Sequence, residues 1–221
     1  MPRLPMSISR RRLLVAFVLP LIVGGGAALR SAAADSSIAD GAQALVQAFA
    51  DEGVLLLRDE KASPAASAER FRTLLDRYFA TDVIARWVLG RYWNQFNPQE
   101  RDQYRQLFED LVVYGYVKRF GDYAGEQLRI VRTLTDSPTQ ATVFTEIDRP
   151  ASGQSVRVDW RVGGRDGVFR ITDVVVENVS LSQTWRSDFS AVIQQGGGPS
   201  GLLTTLRERT GQLKAELGIA N

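Results

Sequence analysis

The chain has 221 residues, 44% of them hydrophobic, and 27 Lys and Arg against 25 Asp and Glu give it a net charge of +2. Five of the basic residues and none of the acidic ones lie in residues 1–34, so residues 35–221 carry 22 basic against 25 acidic groups, a net of −3, and no electrostatic footprint for nucleic acid. There is no cysteine and no histidine, which excludes a disulfide framework, a thiol nucleophile, a Ser-His-Asp arrangement and any metal site built on Cys or His.

Residues 1–34 read as an export signal. Ser9-Arg10-Arg11-Arg12-Leu13-Leu14 sets a twin arginine in the register of a Tat signal, Leu13 to Leu29 is moderately apolar, and Ala32-Ala33-Ala34 before Asp35 offers an A-x-A cleavage site. Pro20 and Gly24-Gly25-Gly26 interrupt the apolar run and Arg30 closes it, which argues for cleavage rather than a retained anchor. Arginine clusters also occur in Sec signals, so the route stays open. Residues 35–221 are enough for one domain with its own core.

Ile38, Ala42, Leu45, Val46, Phe49, Val54, Leu55 and Leu57 predict a first helix to about Leu57. Ser63-Pro64 opens a second, with Phe71, Leu74, Leu75, Tyr78 and Phe79 on one face, and Thr81 or Asp82 caps a short third that Gly90 ends. The longest helical pattern is Asn97 to Tyr123. Asn97, Pro98 and Glu100 form its start as in a capping box, and Tyr104, Leu107, Phe108, Leu111, Val112 and Gly115 recur at i, i+3, i+4, i+7. Its second half adds Val113, Tyr114, Tyr116, Val117 and Phe120 on the faces that should be wet. A helix apolar nearly all round needs cover on several sides: it is wedged between a sheet and other helices, or it lines a cavity for an apolar ligand.

After Tyr123 the period changes to two. Gln127 to Leu134, Thr139 to Asp148, a run through Val156, Val158, Trp160 and Val162, and Val168 to Val176 predict an antiparallel meander with one apolar face, and the slip of alternation at Asp173 predicts a bulge there. Ser182 caps a helix with Trp185, Phe189, Val192 and Ile193 inward, Gly196-Gly197-Gly198-Pro199 stops it, and Ser200 begins a last helix with Leu202, Leu203, Leu206, Leu213 and Leu217. Helices, a curved antiparallel sheet of about four strands, then helices predict a single α+β domain over residues 35–221.

Groups for catalysis are few. Glu146, Asp148 and Asp159 alternate with apolar positions and so point to solvent, Asp173 leaves the core only if the bulge forms, and Glu177-Asn178 with Ser180 reads as a turn. The glycine pairs and triplet lack the spacing and context of a dinucleotide or phosphate loop. What stands out is the aromatic and aliphatic load on layers that should face one another, which suits a dry pocket for acyl chains.

Val88-Leu89-Gly90-Arg91-Tyr92-Trp93, Asn97-Pro98-Gln99-Glu100-Arg101-Asp102-Gln103-Tyr104 with Phe108, the Tyr116-to-Gly125 segment, and Asp173-Val174-Val175-Val176-Glu177-Asn178-Val179-Ser180-Leu181 together resemble the MlaC family. These are periplasmic phospholipid-binding, or toluene-tolerance, components of the Mla lipid-transport system, with a hopanoid-associated branch. The resemblance runs from about Ala68 to Leu206. It implies an NTF2-like cone with acyl tails between sheet and helices, a periplasmic carrier rather than an enzyme, and no cofactor beyond the cargo phospholipid. It also implies two partners, an inner-membrane ABC transporter with an MCE-domain subunit and an outer-membrane lipoprotein–porin complex. By position in the family Tyr116 and Val179 would line the pocket; the residue pattern adds Leu89, Phe108, Val112, Val143, Val158, Trp160, Ile171 and Val174 as lining candidates. Phe169 stands where the family commonly has tryptophan, and Asn178 where it commonly has glycine. A hopanoid or other polycyclic lipid as cargo is the alternative within carriers. A hydrolase or isomerase on the same cone is the alternative outside them, and two titratable groups within hydrogen-bond reach inside the pocket would mark it.

Overall fold

The computed structural model describes residues 26–59, 61–150 and 153–220. Four helices come first, α1 (Gly26–Leu57), α2 (Pro64–Tyr78), α3 (Thr81–Leu89) and α4 (Pro98–Val117). A sheet of β1 (Gln127–Ser137), β2 (Gln140–Arg149), β3 (Gln154–Arg165), β4 (Val168–Val176) and β5 (Val179–Ser180) follows, and then α5 (Leu181–Val192) and α6 (Gly198–Glu216). The twin-arginine segment and most of the apolar run lie outside the described residues, and Ala32-Ala33-Ala34-Asp35 falls within the span of α1. No helix among the described residues is long and apolar enough to cross a membrane.

Most helix limits follow from local chemistry, and several differ from the sequence expectation. Asn97 Oδ1 accepts from the Glu100 N–H and Glu100 Oε2 from the Asn97 N–H, both at 2.9 Å, so the capping box of α4 is complete. Thr81 and Asp82 do not cap α3. Ala80 holds that position, its N–H donating to Ile171 O at 2.9 Å, so the sheet fixes this helix start in place of a side chain. Ser180, rather than Ser182, caps α5 by accepting from the Gln183 N–H at 3.0 Å. The long helix stops at Val117 instead of Tyr123. A 3-10 turn at Phe120–Asp122 brings Phe120 back edge-on to Phe71, with ring centroids 5.4 Å apart. Past Val192 a π turn over Ile193–Gly197 carries the chain to Gly198, whose φ of 51° breaks the helix within the glycine triplet as expected, and α6 begins there rather than at Ser200.

The strands form an antiparallel meander in the order β1-β2-β3-β4-β5. Residue 172 is the extra one on β4, since Ile171 pairs with Val162 while Asp173 pairs with Arg161. The predicted bulge is therefore present, and it moves Asp173 to the outer face beside Arg161. Further irregularities at residues 131 and 136 bend β1. The fifth strand was absent from the sequence expectation. It follows a two-residue turn in which Glu177 (φ 47°) and Asn178 (φ 66°) are both left-handed, so Asn178 adopts backbone that glycine would otherwise supply.

The interior divides into two buried clusters. One lies between the sheet and α1, α2 and part of α4, with Val46, Leu75, Val113, Val143 and Ile171 at its centre. The other joins α3, α4, α5 and α6 around Val88, Leu89, Tyr104, Phe189 and Leu206. Phe79 and Val112 touch both. Arg72 of α2 holds α4 from outside through ion pairs to Glu109 and, at 2.7 Å, to Asp110.

Where α1 crosses the sheet the spacing leaves no room for a side chain at Gly41: an added Cβ would lie 2.1 Å from Phe169 Cζ. Replacing Gly41 with alanine is expected to destabilise the protein by about 1–3 kcal/mol, despite a helix-propensity gain of up to about 1 kcal/mol. In a Phe169→Ala background the same change is expected to be neutral or stabilising. Urea unfolding of the two single variants and the double variant measures the coupling, and equal costs of Gly41→Ala in both backgrounds would refute the contact.

Candidate functional site

The space where the two clusters meet is left unfilled. A cavity of about 620 Å³ lies there, within the range of roughly 300–1,000 Å³ typical of small-molecule sites. Phe49, Val54 and Leu57 of α1, Phe71, Leu74 and Leu75 of α2, and Phe79 form one side of it. Phe108, Val112 and Tyr116 of α4, the strand residues Leu128, Ile147, Val158, Trp160, Val174 and Val176, and Trp185 of α5 complete the wall.

The stripe on α4 sets the length of this hollow. Arg105, Phe108, Val112 and Tyr116 recur at spacings of three and four and all line it, and Arg119 lines it just past the end of the helix. At 1.5 Å per residue the helical stripe runs about 17 Å, close to the roughly 15 Å that the tails of one bilayer leaflet occupy. Val113, Tyr114 and Val117, on the other side of α4, are buried in the protein's own core. The apolar excess on the second half of the helix thus serves two surfaces, one packed and one open to the hollow.

Aromatic rings hold the wall apart. Phe49 meets Tyr78, Phe79 and Trp160 edge-on at 5.7, 5.3 and 5.3 Å, and Phe108 meets Trp185 at 5.1 Å. The Trp160 indole N–H donates to Thr145 Oγ1 at 3.1 Å, and that hydroxyl donates to Val158 O at 2.7 Å. The one polar atom of the tryptophan is therefore satisfied within the sheet. Tyr116 is 39% exposed, yet burial raises its phenol pKa above the ordinary value, partly offset by Arg119. The two observations agree because the ring opens into the hollow and is otherwise surrounded by protein.

Charged groups stand toward the ends of the stripe. Asp82, Arg105 and Glu109 lie at one end, Arg119, Asp122, Glu126 and Arg149 beyond the other, and the buried carboxylate of Asp173 borders the cavity beside Ser182 and Trp185. At the first end Arg105 Nε approaches Asp82 Oδ1 to 3.3 Å and its Nη1 donates to Asp102 at 2.9 Å, while Glu109 is taken up by Arg72. No cluster that could hold a metal ion occurs among the described residues.

Of the residues singled out in the sequence, Tyr116, Phe108, Val112, Val158, Trp160 and Val174 come together around the cavity. Leu89, Val143 and Ile171 do not reach it. They are at most 1% exposed because neighbouring side chains cover them, although Leu89 also borders a separate small cavity beside Arg91 and Arg186. Val179 is 56% exposed on β5, outside the wall, because the turn before it carries the chain past the edge of β4. The sequence reading missed the contributions of α1, α2 and Trp185. Their helical stripes were visible, but nothing in their spacing said that part of each stripe would face empty space.

The acidic candidates have structural roles. Asp159 was expected in solvent. It lies on the outer face but is only 6% exposed, since Arg157 covers it with donors at 2.9 and 2.7 Å. Asp173 accepts from Ser180 Oγ at 2.7 Å and from the Ser182 N–H at 3.2 Å and pairs with Arg161, joining β4 to the start of α5 where a helix favours negative charge. Glu177 Oε1 accepts from the Arg157 N–H at 2.6 Å, which binds the β4–β5 turn to β3.

A family model described as MlaC protein matches residues 47–208. No curated protein sequence matches the chain. Among solved structures, the chain is similar to one described as a phospholipid-binding protein from Ralstonia solanacearum in complex with a phospholipid. The two are 22% identical with a TM-score of 0.68, over 78% of this chain and 98% of that one. At that identity the likeness is one of fold.

Thr145 is 1% exposed and serves both Trp160 and Val158. Thr145→Val is expected to leave the indole N–H unsatisfied at a cost of about 1–3 kcal/mol, whereas Thr145→Ser keeps the hydroxyl and loses less. Chemical denaturation followed by circular dichroism distinguishes the two, and a valine variant as stable as the serine one would show that the hydroxyl does not hold the wall.

Proposed function

The chain belongs to the MlaC family, and from that premise we propose that it is a periplasmic carrier that encloses the acyl tails of a phospholipid in the cavity and passes the lipid between membranes. The observation that carries this reading is the apolar wall itself, about 620 Å³ of unfilled space between aromatic and aliphatic side chains. Such a space stays dry and is completed best by hydrocarbon. Enclosing the tails gains roughly 25 cal/mol for each Å² of apolar surface removed from water. The charged residues at the ends of the α4 stripe leave a polar headgroup a place at the surface while the tails lie along Phe108, Val112 and Tyr116.

On this reading the partners are those of the family, an inner-membrane ABC transporter with an MCE-domain subunit and an outer-membrane lipoprotein–porin complex, and residues 1–34 export the chain and are cleaved. No chemistry on the lipid is required. The arginines and carboxylates at the first end of the cavity pair with one another as ions instead of forming an acid–base couple aimed inward.

Protein purified from cells is expected to release a phospholipid on solvent extraction, identified by mass. Val112→Glu and Tyr116→Glu, which set a charge against the tails, are each expected to lose most of that lipid with the fold retained by circular dichroism. Val179→Glu, outside the wall, is expected to keep it. A polycyclic lipid in the extract would replace the phospholipid assignment with the hopanoid one. Lipid content unchanged in both Val112→Glu and Tyr116→Glu would remove the cavity as the site.

A further inference from the structure

The outer face of α3 carries a group of side chains that the cavity does not use. Ile84, Ala85, Val88 and Leu89 are buried on the inner face, and Ile84 and Ala85 also line the cavity. On the opposite face Val83 is 60% and Trp87 44% exposed, one turn apart. Exposed singly such residues mean little, but here they stand among arginines. Arg186 of α5 lies over the Trp87 ring at 4.8 Å and donates to Trp87 O at 3.3 Å. Arg91 stacks on Tyr92 at 4.9 Å and donates to its hydroxyl at 2.8 Å. Arg86 is exposed on the same face, over Trp93 at 5.7 Å.

None of these three arginines has a carboxylate partner among the described residues. Asp82, the acid of α3, is engaged by Arg105. Asp188 stands two residues from Arg186 on α5 and so faces another side of that helix. Between Arg91 and Arg186 a second, small cavity of about 190 Å³ is lined also by Tyr92, Leu89 and Ser190. Gly90, at φ 52°, makes it possible: a Cβ there would lie 2.6 Å from Arg186 Nη2. Two guanidinium groups, a hydroxyl and a phenol around a polar hollow of this size have the donors and the charge for a phosphate group.

We propose that the outer face of α3, with Arg91 and Arg186, is a docking surface for a membrane bearing anionic phospholipid: the guanidinium groups take lipid phosphates and Trp87 with Val83 seats at the headgroup level. Charge complementarity selects this occupant. Residues 35–221 carry a net charge of −3, so attraction to an anionic bilayer must come from a local patch, and here the unpaired arginines surround a tryptophan, the side chain suited to a membrane–water boundary. A protein partner fits less well, because two exposed apolar side chains are far from the roughly 800 Å² that a stable protein interface covers on each partner. Docking by this face would bring the α3 end of the large cavity against a bilayer, since one helix forms both surfaces. That consequence rests on the carrier reading; the binding itself does not.

The test is flotation of the protein, as recovered from cells, with vesicles of phosphatidylcholine alone and with vesicles containing about one third phosphatidylglycerol. Binding to the anionic vesicles only is expected, weakening as salt is raised. The pair Arg91→Gln with Arg186→Gln is expected to weaken it about thirtyfold. Trp87→Ala, at an exposed position, is expected to weaken it as well. Lipid extracted from these variants should equal that of the wild type, which separates this proposal from the cavity: lost extractable lipid in every preparation would count against the carrier and leave the docking face standing. Equal binding of wild type and variants, or no flotation of the wild type with either vesicle, overturns the membrane assignment, and in the second case the face is left to a protein partner.

Discussion

A helix that is apolar on two sides has to be buried on two sides, and α4 can meet that demand only by standing between two cores. Val113, Tyr114 and Val117 pack into the protein while Phe108, Val112 and Tyr116 face the other way. Arg72 ties α4 to α2 on its flank, and the Tyr104 hydroxyl ties it to α3 by donating to Ala85 O at 3.0 Å. The hollow lies between the clusters that these contacts hold. Packing an interior completely would gain dispersion contacts all along this wall, so an interior left open forgoes stability that a bound hydrocarbon restores.

The polar groups are arranged consistently with that. Trp160 and Tyr78 could have carried unsatisfied polar atoms toward the interior. The indole N–H instead finds Thr145, and the Tyr78 hydroxyl donates to Glu52 at 2.8 Å. Asp173 and Asp159, the buried carboxylates, lie on the outer face of the sheet and are bound by donors from neighbouring elements. The cavity wall is thereby left largely to hydrocarbon, and Asp173, the one of these two carboxylates that borders it, is bound by Ser180, Ser182 and Arg161. A wall of this kind binds by exclusion of water and is indifferent to the detailed stereochemistry of what it encloses.

Much of this could be read from residue order. The starts of α2 and α4, the change of period after Tyr123 and the bulge in β4 follow from interactions among near neighbours in the chain, and near neighbours are what a sequence displays. Two of the misreadings share one cause. Ala80 replaces Thr81 as the start of α3 because Ile171, some ninety positions away, accepts its N–H. Strand β5 forms because Glu177 and Asn178 both adopt left-handed backbone, and the Glu177 side chain is tied to β3. Partners at long range overrode the local signals.

The wall of the cavity divides in the same way. Alternation and helical spacing determined that Val112, Tyr116, Val158 and Trp160 lie on inward faces, because period and burial are properties of each element taken alone. Those rules could not separate Val158, which meets the hollow, from Val143, which is sealed at 0% exposure two residues along an adjoining strand. Nor could they say that Phe49, Phe71 and Trp185 would converge from three different helices. Whether an inward side chain touches protein or empty space depends on how far apart the layers come to rest. That distance is set by ring contacts and ion pairs between elements remote in the chain, so it exists only once they have packed.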